Sequence, residues 1–300
     1  MWSRCAGFPG GPPDRGNSGG GRVPTPVRFV RQQVNVVKVP DGAAVRSDRI
    51  RGELERLASR YPPQWRRQMA YEVQRQTFHV GLVASLAPGG VLADVGGGTG
   101  MFSVGCAAVG MSATLIDDFA DPSNESGTDE LLDLHRSVGV KIEVRDVVRD
   151  GLGLDPESTD VITTFDSMEH WHHSPKRLFA EVLAALRPGG WFLLGVPNCV
   201  SLRKRITVPL GRGKWSSMAD WYERPVFRGH VREPDVDDLR YIARDMGLTE
   251  VRILGRNWLG RAHPRPVIRT LTPLVDRALR LRPSLCSDLY LLGRRPESVR

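Results

Sequence analysis

The sequence predicts an α/β domain built around a largely parallel β-sheet, and three observations carry that prediction. Between Val91 and Asn198, short apolar runs alternate with amphipathic segments. Strands that alternate with helices of about ten to fifteen residues form βαβ units, whose strands run parallel. A glycine-rich turn, Gly96–Gly100, directly follows the first apolar run, as is typical where a parallel strand passes into a helix. An apolar fraction of 40% is enough for a sizeable core.

The N-terminal region divides into a tail and a helical segment. Residues 1–44 are rich in Gly, Pro, Ser and Arg, which predicts a disordered or extended tail, with 27–40 as a strand-like extension. Helical periodicity from Asp48 to Leu86 predicts two helices, separated by a break at the consecutive prolines 62 and 63. The apolar stripe of the second helix is predicted at Met69, Val73, Phe78, Leu82 and Leu86.

The alternating region follows, and its elements are predicted from apolar runs and from turn residues. Strands are predicted at 91–95, 112–117, 141–147, 160–166 and 191–198, and helices at 101–110, within 125–139, and from 174 to a stop at residues 188–190, Pro-Gly-Gly. A basic and aromatic loop at 199–233 precedes a helix at about 235–246, a strand near 248–254, a helix near 267–281 and a last strand within 287–295. We expect one domain over 45–300.

Composition and charge exclude some classes of protein. No apolar run approaches the roughly 18 residues of a membrane helix, and the N-terminus has no signal-peptide pattern, so a cytoplasmic location is expected. The four cysteines are scattered, and no cysteine and histidine set has a metal-binding spacing, so no metal site is predicted. The net charge of +8 is concentrated at the two ends of the chain. It indicates either an anionic partner or a solvated, arginine-rich surface.

The glycine turn has the pattern G-x-G-x-G at Gly96, Gly98 and Gly100. Met101 stands where a dinucleotide fingerprint needs its third glycine, and no lysine follows as in a phosphate-binding loop. Asp94 precedes the turn by two residues. A carboxylate there suits a cationic ligand better than a pyrophosphate, which it would repel.

DVGGGTG resembles motif I of the class I S-adenosylmethionine-dependent methyltransferases, and the resemblance runs from about Val91 to Asn198, with weaker similarity to Arg295. The sequence at 196–248 is similar to the type 11 and type 23 methyltransferase domain groups. The resemblance implies a Rossmann-like three-layer sandwich with a mostly parallel seven-stranded sheet and one antiparallel strand near 287–293. It also implies S-adenosyl-L-methionine as cofactor, bound by the half at about 88–198, with a substrate lid at about 199–233 and C-terminal helices and strands at 234–295.

The resemblance assigns cofactor roles residue by residue. It implies that Asp94, Gly96, Gly98 and Gly100 form the cradle and that Asp117 clasps the ribose hydroxyls, with Asp118 as the alternative. Asp146 matches the position beside the adenine amino group, with a helix cap as the competing interpretation, and Asp166 lies in the matching segment at the end of the fourth strand. Position 97 is Gly where the family commonly has Cys or Ser, and we expect this to loosen the turn slightly.

The implied chemistry is in-line transfer of a methyl group, for which an oxygen acceptor usually needs a base. His230 in the lid is the first choice for a catalytic residue, followed by His170 with Glu169, which otherwise shape the cofactor pocket. His172 and His173 are expected to be exposed turn residues.

The expected partner is a small-molecule or glycan acceptor methylated on oxygen. N- or C-methylation of a small molecule or a lipid-linked acceptor, and a non-catalytic cofactor-binding partner protein, are the alternatives; nucleic acid is disfavoured. The helix at 267–281 has apolar residues interleaved with arginines. It is expected either to pack on its own domain or to contact a membrane peripherally.

Overall fold

The computed structural model describes residues 43–120, 128–212, 216–258 and 265–297. The predicted strand-like extension at 27–40, and the tail up to residue 42, lie outside these residues. The first helix, α1, spans Ala43–Arg60, and α2 spans Pro63–Leu86. The chain breaks between them at Pro62, as predicted, because a proline lacks the N–H that would continue the first helix.

The buried face of α2 differs from the predicted apolar stripe. Met69 and Val73 are buried as expected, but Phe78, Leu82 and Leu86 are only half-buried. Val80, Val83 and three polar residues take the inner face; the polar residues are Gln76, Thr77 and His79. These polar groups are tolerated because they are hydrogen-bonded: His79 Nε2 lies 2.8 Å from Tyr290 Oη and its Nδ1 lies 3.2 Å from Gln76 Oε1.

Strands and helices then alternate as the sequence predicts. In chain order they are β1 (Val91–Val95), α3 (Met101–Ala108), β2 (Ser112–Asp117), α4 (Thr128–Ser137), β3 (Lys141–Val144), α5 (Val147–Asp150), β4 (Thr159–Phe165), a 3-10 turn (Met168–His170), α6 (Lys176–Ala185) and β5 (Leu186–Pro197). The C-terminal elements are α7 (Leu202–Thr207), α8 (Met218–Tyr222), α9 (Val236–Asp245), β6 (Thr249–Arg256), α10 (Pro266–Leu279), a 3-10 turn (Pro283–Leu285) and β7 (Asp288–Arg294).

Two predicted boundaries are wrong. The third strand ends at Val144 rather than 147, because Asp146 caps the N-terminus of α5 and turns the chain into a helix. The fifth strand begins at Leu186 rather than 191: Leu186 pairs with Thr159 of β4 before a register shift, and α6 ends ahead of the Pro-Gly-Gly sequence instead of at it.

The sheet has the order β3-β2-β1-β4-β5-β7-β6. The β1–β2, β1–β4, β2–β3 and β4–β5 pairs are parallel, and β7 is antiparallel to both β5 and β6. The predicted Rossmann-like, seven-stranded, mostly parallel sheet with one reversed strand is therefore confirmed. Buried apolar clusters lie on both faces, one formed with α1 to α4 and the other with α6 and α9, which gives three layers.

The strand order determines where a ligand can bind. The chain moves from β1 outward to β2 and β3, then returns to β4 on the other side of β1. In such sheets the crevice beyond the carboxyl ends of the strands, at the point of reversal, is the ligand site. Here that crevice lies beyond β1 and β4, next to the glycine turn. No helix in the described part of the chain is long and apolar enough to cross a membrane; the cytoplasmic location stays a prediction.

Candidate active site

The glycine turn is held in a conformation that requires glycine at two positions. Gly96 and Gly98 have φ angles of +69° and +56°, in the left-handed region that other residues adopt at a cost. The Gly96 N–H donates to the carbonyl oxygen of Ile116 in β2 at 2.8 Å, which ties the turn to the sheet. The turn leads into α3 at Met101, so the N-terminus of that helix points at the crevice.

Glycine at position 97 is explained by the packing beneath the turn. A Cβ atom there would overlap the carboxylate of Asp94 and would lie 2.8 Å from Leu115 Cδ1. The turn is therefore tightly packed at this point, and the expectation that Gly97 loosens it stays a prediction.

Asp94 lies under the turn rather than on the surface of the crevice. It is 1% exposed, and its carboxylate accepts hydrogen bonds from Ser103 Oγ at 2.6 Å and Thr163 Oγ1 at 3.0 Å. Burial raises the pKa of Asp94 to about 6, against the lowering effect of those two hydrogen bonds. Its visible contacts join β1, α3 and β4, so it supports the cradle; a direct interaction with a cationic ligand stays a prediction.

Of the two candidate ribose acids, Asp117 is the one joined to the turn. Its Oδ2 accepts from the N–H of Gly98 at 2.9 Å and its Oδ1 accepts from the N–H of Phe119 at 2.7 Å. Asp118 is exposed, and its carboxylate accepts from the N–H of Ala120 at 3.0 Å. The geometry therefore favours Asp117 over Asp118.

Asp146 has the helix-capping contacts of the competing interpretation. Its Oδ1 accepts from the N–H groups of Val148 and Arg149 at 3.1 and 3.2 Å. The residue nevertheless lies just beyond β3, next to Asp117: the N–H of Arg145 donates to the carbonyl oxygen of Asp117 at 2.9 Å. Its position is as expected, while its role toward the adenine stays a prediction.

Two residues that support the turn were missed from the sequence. His135 of α4 is buried, with Nε2 3.1 Å from the carbonyl oxygen of Gly100, and Tyr61, between α1 and α2, donates from its hydroxyl to the carbonyl oxygen of Thr99 at 3.4 Å. A cavity of about 130 Å³ opens beside them, lined by Tyr61, Trp65, Gln68, Met69, Thr99, Gly100 and Leu131. Nothing in the local pattern marks these residues, because their partners are distant in sequence.

Asp166 is held by a partner that the sequence did not suggest. It follows β4 with a φ angle of +52°, and its carboxylate lies 2.5 Å from Arg75 Nη2 of α2. This ion pair closes α2 over the end of β4. The predicted contact of Asp166 with the cofactor is untested by these interactions.

The three predicted catalytic residues come together at the same edge of the sheet. Glu169 and His170 lie on the 3-10 turn after β4, and the N–H of Val231 donates to the carbonyl oxygen of Glu169 at 2.7 Å. That bond places His230, the residue before Val231, beside Glu169 and His170. The ring centroid of His230 is 4.9 Å from that of His170, with the two rings edge to face. The two histidines are about sixty residues apart in sequence, so only the fold unites them.

His230 is backed by a buried ion pair. Its Nδ1 lies 2.8 Å from Glu233 Oε1, and the other oxygen of Glu233 pairs with Lys204 of α7. Burial alone would raise the pKa of Glu233, but the hydrogen bonds from His230 and Lys204 hold it below its usual value. Glu233 is therefore ionised and orients the His230 ring. Neither Lys204 nor Glu233 was predicted as a site residue.

The family model of a methyltransferase domain, type 23, matches residues 65–253, from the start of α2 to the middle of β6. The chain belongs to this methyltransferase family. S-adenosylmethionine is therefore its methyl donor. No curated protein matches the sequence.

The chain is also similar, at low identity, to solved methyltransferases. A possible histamine N-methyltransferase from Thermotoga maritima is 15% identical, with 82% of this chain and 99% of that chain covered and a TM-score of 0.49. The 1,6-didemethyltoxoflavin-N1-methyltransferase from Burkholderia thailandensis is 17% identical, with 87% of this chain and 92% of that chain covered and a TM-score of 0.49. Phosphoethanolamine N-methyltransferase 2 from Haemonchus contortus is 14% identical, with 73% of this chain covered and a TM-score of 0.47. The match covers 52% of that protein, so this chain spans about half of its length.

The predicted lid of this methyltransferase is partly helical. It contains α7 and α8, and Trp221, Tyr222 and Val226 are exposed, whereas Trp215 lies outside the described residues. His172 and His173 are exposed, as expected; His172 Nε2 lies 3.3 Å from the carbonyl oxygen of Phe227. The lid therefore contacts the turn after β4 through the backbone carbonyls of Phe227 and Arg228, the N–H of Val231 and the ring of His230.

Proposed function

We propose that this methyltransferase transfers a methyl group from S-adenosylmethionine to an oxygen atom of a small molecule or a glycan. The supporting observation is the cluster of Glu169, His170 and His230 at the carboxyl end of β4. A hydroxyl group is a poor nucleophile until its proton is removed, whereas a neutral amine is nucleophilic enough to attack without first losing a proton. A built polar cluster beside the cofactor cradle therefore favours an oxygen acceptor over nitrogen or carbon.

In this proposal the cofactor lies along the glycine turn, with its ribose hydroxyls on Asp117 and its adenine near Asp146. The sulfonium then faces the carboxyl ends of β1 and β4. Cluster and lid hold the acceptor on the far side of the methyl group, and exclude water when the lid is closed. The acceptor oxygen forms a bond to the methyl carbon as the carbon–sulfur bond breaks, and S-adenosylhomocysteine leaves.

The test is product formation from an isotope-labelled methyl donor. The purified protein is incubated with S-adenosylmethionine carrying a labelled methyl group and with an extract of the cells that make it. We expect a labelled product whose methyl resonance is that of an O-methyl group. His230→Ala should lower its rate by about two orders of magnitude with little change in cofactor affinity, while the exposed His173→Ala should match the wild type.

Several outcomes contradict the proposal. A methyl resonance typical of N–CH3 or C–CH3 supports the runner-up chemistries. A protein that binds the cofactor but labels nothing supports the non-catalytic partner class. Label that becomes soluble only after nuclease treatment indicates a nucleic-acid acceptor.

We also propose that α10 contacts an anionic membrane surface peripherally. Its polar residues, not its apolar ones, face the domain: Thr272 and Asp276 are buried, and Asp276 accepts from Asn257 Nδ2 at 2.8 Å. The apolar side chains point outward, at Val267, Ile268, Leu271, Leu274 and Val275, with exposed arginines at 269, 277 and 282. An exposed apolar face flanked by cations is the pattern of helices that lie on anionic lipid. The helix also packs on its own domain, through Thr272 and Asp276, which leaves the apolar side chains exposed.

A further inference from the structure

The cluster of Glu169, His170 and His230 brings three potential ligand atoms together. One nitrogen of each histidine and one carboxylate oxygen lie within 4.8 Å of one another. Two ligands on opposite sides of a bound ion are separated by about 4.2 Å, twice the usual metal–ligand distance. Small side-chain rotations therefore suffice to place all three atoms around one ion.

The hydrogen bonds of the two histidines determine which nitrogen carries the proton. His170 Nδ1 lies 2.7 Å from the carbonyl oxygen of Arg228, which can only accept, so Nδ1 carries the proton. His230 Nδ1 lies 2.8 Å from Glu233 Oε1, and the other oxygen of Glu233 pairs with Lys204, so His230 Nδ1 is the donor here as well. In a neutral imidazole the lone pair is then on Nε2 in both rings. A histidine whose Nδ1–H is held by a backbone carbonyl or a carboxylate is the usual arrangement of a metal ligand.

Glu169 supplies the independent observation that a cation belongs here. The residue is 1% exposed, and its Oε2 has no hydrogen-bond partner among the described residues. A buried carboxylate oxygen without a partner is unfavourable unless the group is neutralised or paired. A cation held between this oxygen and the two histidine nitrogens, all within 4.8 Å of one another, would supply the missing partner.

We propose that Glu169, His170 and His230 bind one divalent transition-metal ion. Two imidazole nitrogens and one carboxylate oxygen suit Mn²⁺, Fe²⁺, Co²⁺ or Zn²⁺ and not Mg²⁺ or Ca²⁺, which prefer oxygen ligands throughout. Glu233 and the carbonyl of Arg228 hold the ligands in orientation. Three protein ligands leave coordination positions open on the side of the crevice.

The role of the ion rests on the proposed function. Coordination of the acceptor hydroxyl lowers its pKa, and the proton passes to solvent water. The resulting alkoxide oxygen attacks the methyl carbon while the carbon–sulfur bond breaks and its electron pair returns to sulfur. In this arrangement the histidines act as ligands, and neither needs to accept the proton itself.

The decisive experiment measures metal binding without the acceptor or the cofactor. The untagged full chain is treated with a chelator and desalted, then titrated with Mn²⁺ by electron paramagnetic resonance and with Co²⁺ by visible absorption. We expect one site, with d–d bands typical of nitrogen and oxygen ligands. Glu169→Gln, which keeps the shape of the side chain, and His230→Ala should each weaken binding at least about tenfold, and Glu233→Gln should weaken it about tenfold by freeing the His230 ring. His173→Ala is the matched control and should bind as the wild type does.

The outcomes separate this inference from the proposed function. Failure of the wild-type chain to bind Mn²⁺, Co²⁺ or Zn²⁺ at one per chain overturns the site, and so does equal binding by the Glu169→Gln/His230→Ala double variant. Circular dichroism establishes that each variant is folded. If the chelator-treated protein methylates its acceptor as fast as the metal-loaded protein, the proposed methyl transfer is supported but the metal has no role in it. If metal binds as expected but no labelled product forms, the site stands and the proposed function fails.

Discussion

Replacing Gly96 by alanine tests whether the glycine turn is packed against the end of β4 as the structure shows. Gly96 and Gly98 have similar positive φ angles, +69° and +56°. Their surroundings differ. A Cβ atom on Gly98 meets nothing within 4 Å, whereas one on Gly96 lies 2.6 Å from Ser167 Cβ and still closer to Ser167 Oγ. Gly98→Ala is therefore a matched control that adds the same methyl group, with backbone strain but without overlap.

The expected magnitudes follow from these two contributions. A left-handed conformation costs a non-glycine residue about 1 kcal/mol or slightly more, and overpacking a buried position costs about 1–3 kcal/mol. Gly98→Ala should lower the free energy of unfolding by about 1 kcal/mol, and Gly96→Ala by about 2–4 kcal/mol. Urea unfolding of the cofactor-free protein, followed by circular dichroism, measures both values when the slopes agree with that of the wild type.

A second change identifies the overlapping residue. Ser167→Gly removes both atoms that the new methyl group meets, although it also removes the hydrogen bond from Trp171 Nε1 to Ser167 Oγ. A double-mutant cycle separates the two effects: in the Gly96→Ala background, Ser167→Gly should recover the overpacking part and leave the strain. Equal destabilisation by Gly96→Ala and Gly98→Ala, or additive effects in the cycle, would refute the packing described here.

Three further predictions concern charge and surface. Because burial raises the pKa of Asp94 to about 6, the native state binds this proton more tightly than the unfolded state does. The contribution of Asp94 to stability should therefore fall by about 3 kcal/mol as pH rises from about 4 to about 6. In denaturant titrations, Asp94→Asn should make the free energy of unfolding depend less on pH in this range. If the variant loses as much stability between about pH 4 and about pH 6 as the wild type does, the raised pKa does not belong to Asp94. In calorimetric titration with S-adenosylhomocysteine, Asp117→Ala should weaken binding at least tenfold and Asp118→Ala should have little effect; the reverse order would move the ribose contact to Asp118. The chain should co-sediment with phosphatidylglycerol-containing vesicles at low salt and not with phosphatidylcholine alone, and Leu274→Glu should reduce this binding while Tyr241→Glu on α9 does not; absence of binding to both vesicle types removes the membrane contact.

The regular part of the fold could be predicted because local signals agree there with the tertiary structure. The bounds of β1 and β2 follow from buried apolar runs, and α9 begins where Asp235 forms a capping box with Asp238. At these positions the residues that terminate an element are next to it in sequence. The reversed strand β7 was implied by the family resemblance and not by its own sequence. The spacing of apolar residues along a strand is the same whether the strand runs parallel or antiparallel to its neighbours.

Prediction failed where a distant partner decides the outcome. The inner face of α2 includes Gln76 and His79 because Tyr290, more than two hundred residues away, satisfies His79. Likewise α10 turns its polar face inward because Asp276 finds Asn257. An apolar stripe indicates which face of a helix could be buried. A hydrogen-bond partner elsewhere in the sequence can reverse that preference, and the helix sequence alone does not show where such a partner lies.

The candidate site also depends on partners that are distant in sequence. The charges around Glu169, His170 and His230 explain why this cluster needs a cation. Arg75 pairs with Asp166, and Lys204 pairs with Glu233. Glu169 is the remaining acid of this group, and within the described residues its Oε2 has no partner. The sulfonium of the cofactor also carries positive charge, so it is a second candidate for this position. The two explanations differ in one respect: a metal ion binds the cofactor-free chain through both histidines, whereas the sulfonium gains nothing from a histidine lone pair at Nε2. The fixed orientation of the two rings by Arg228 and Glu233 therefore favours the metal.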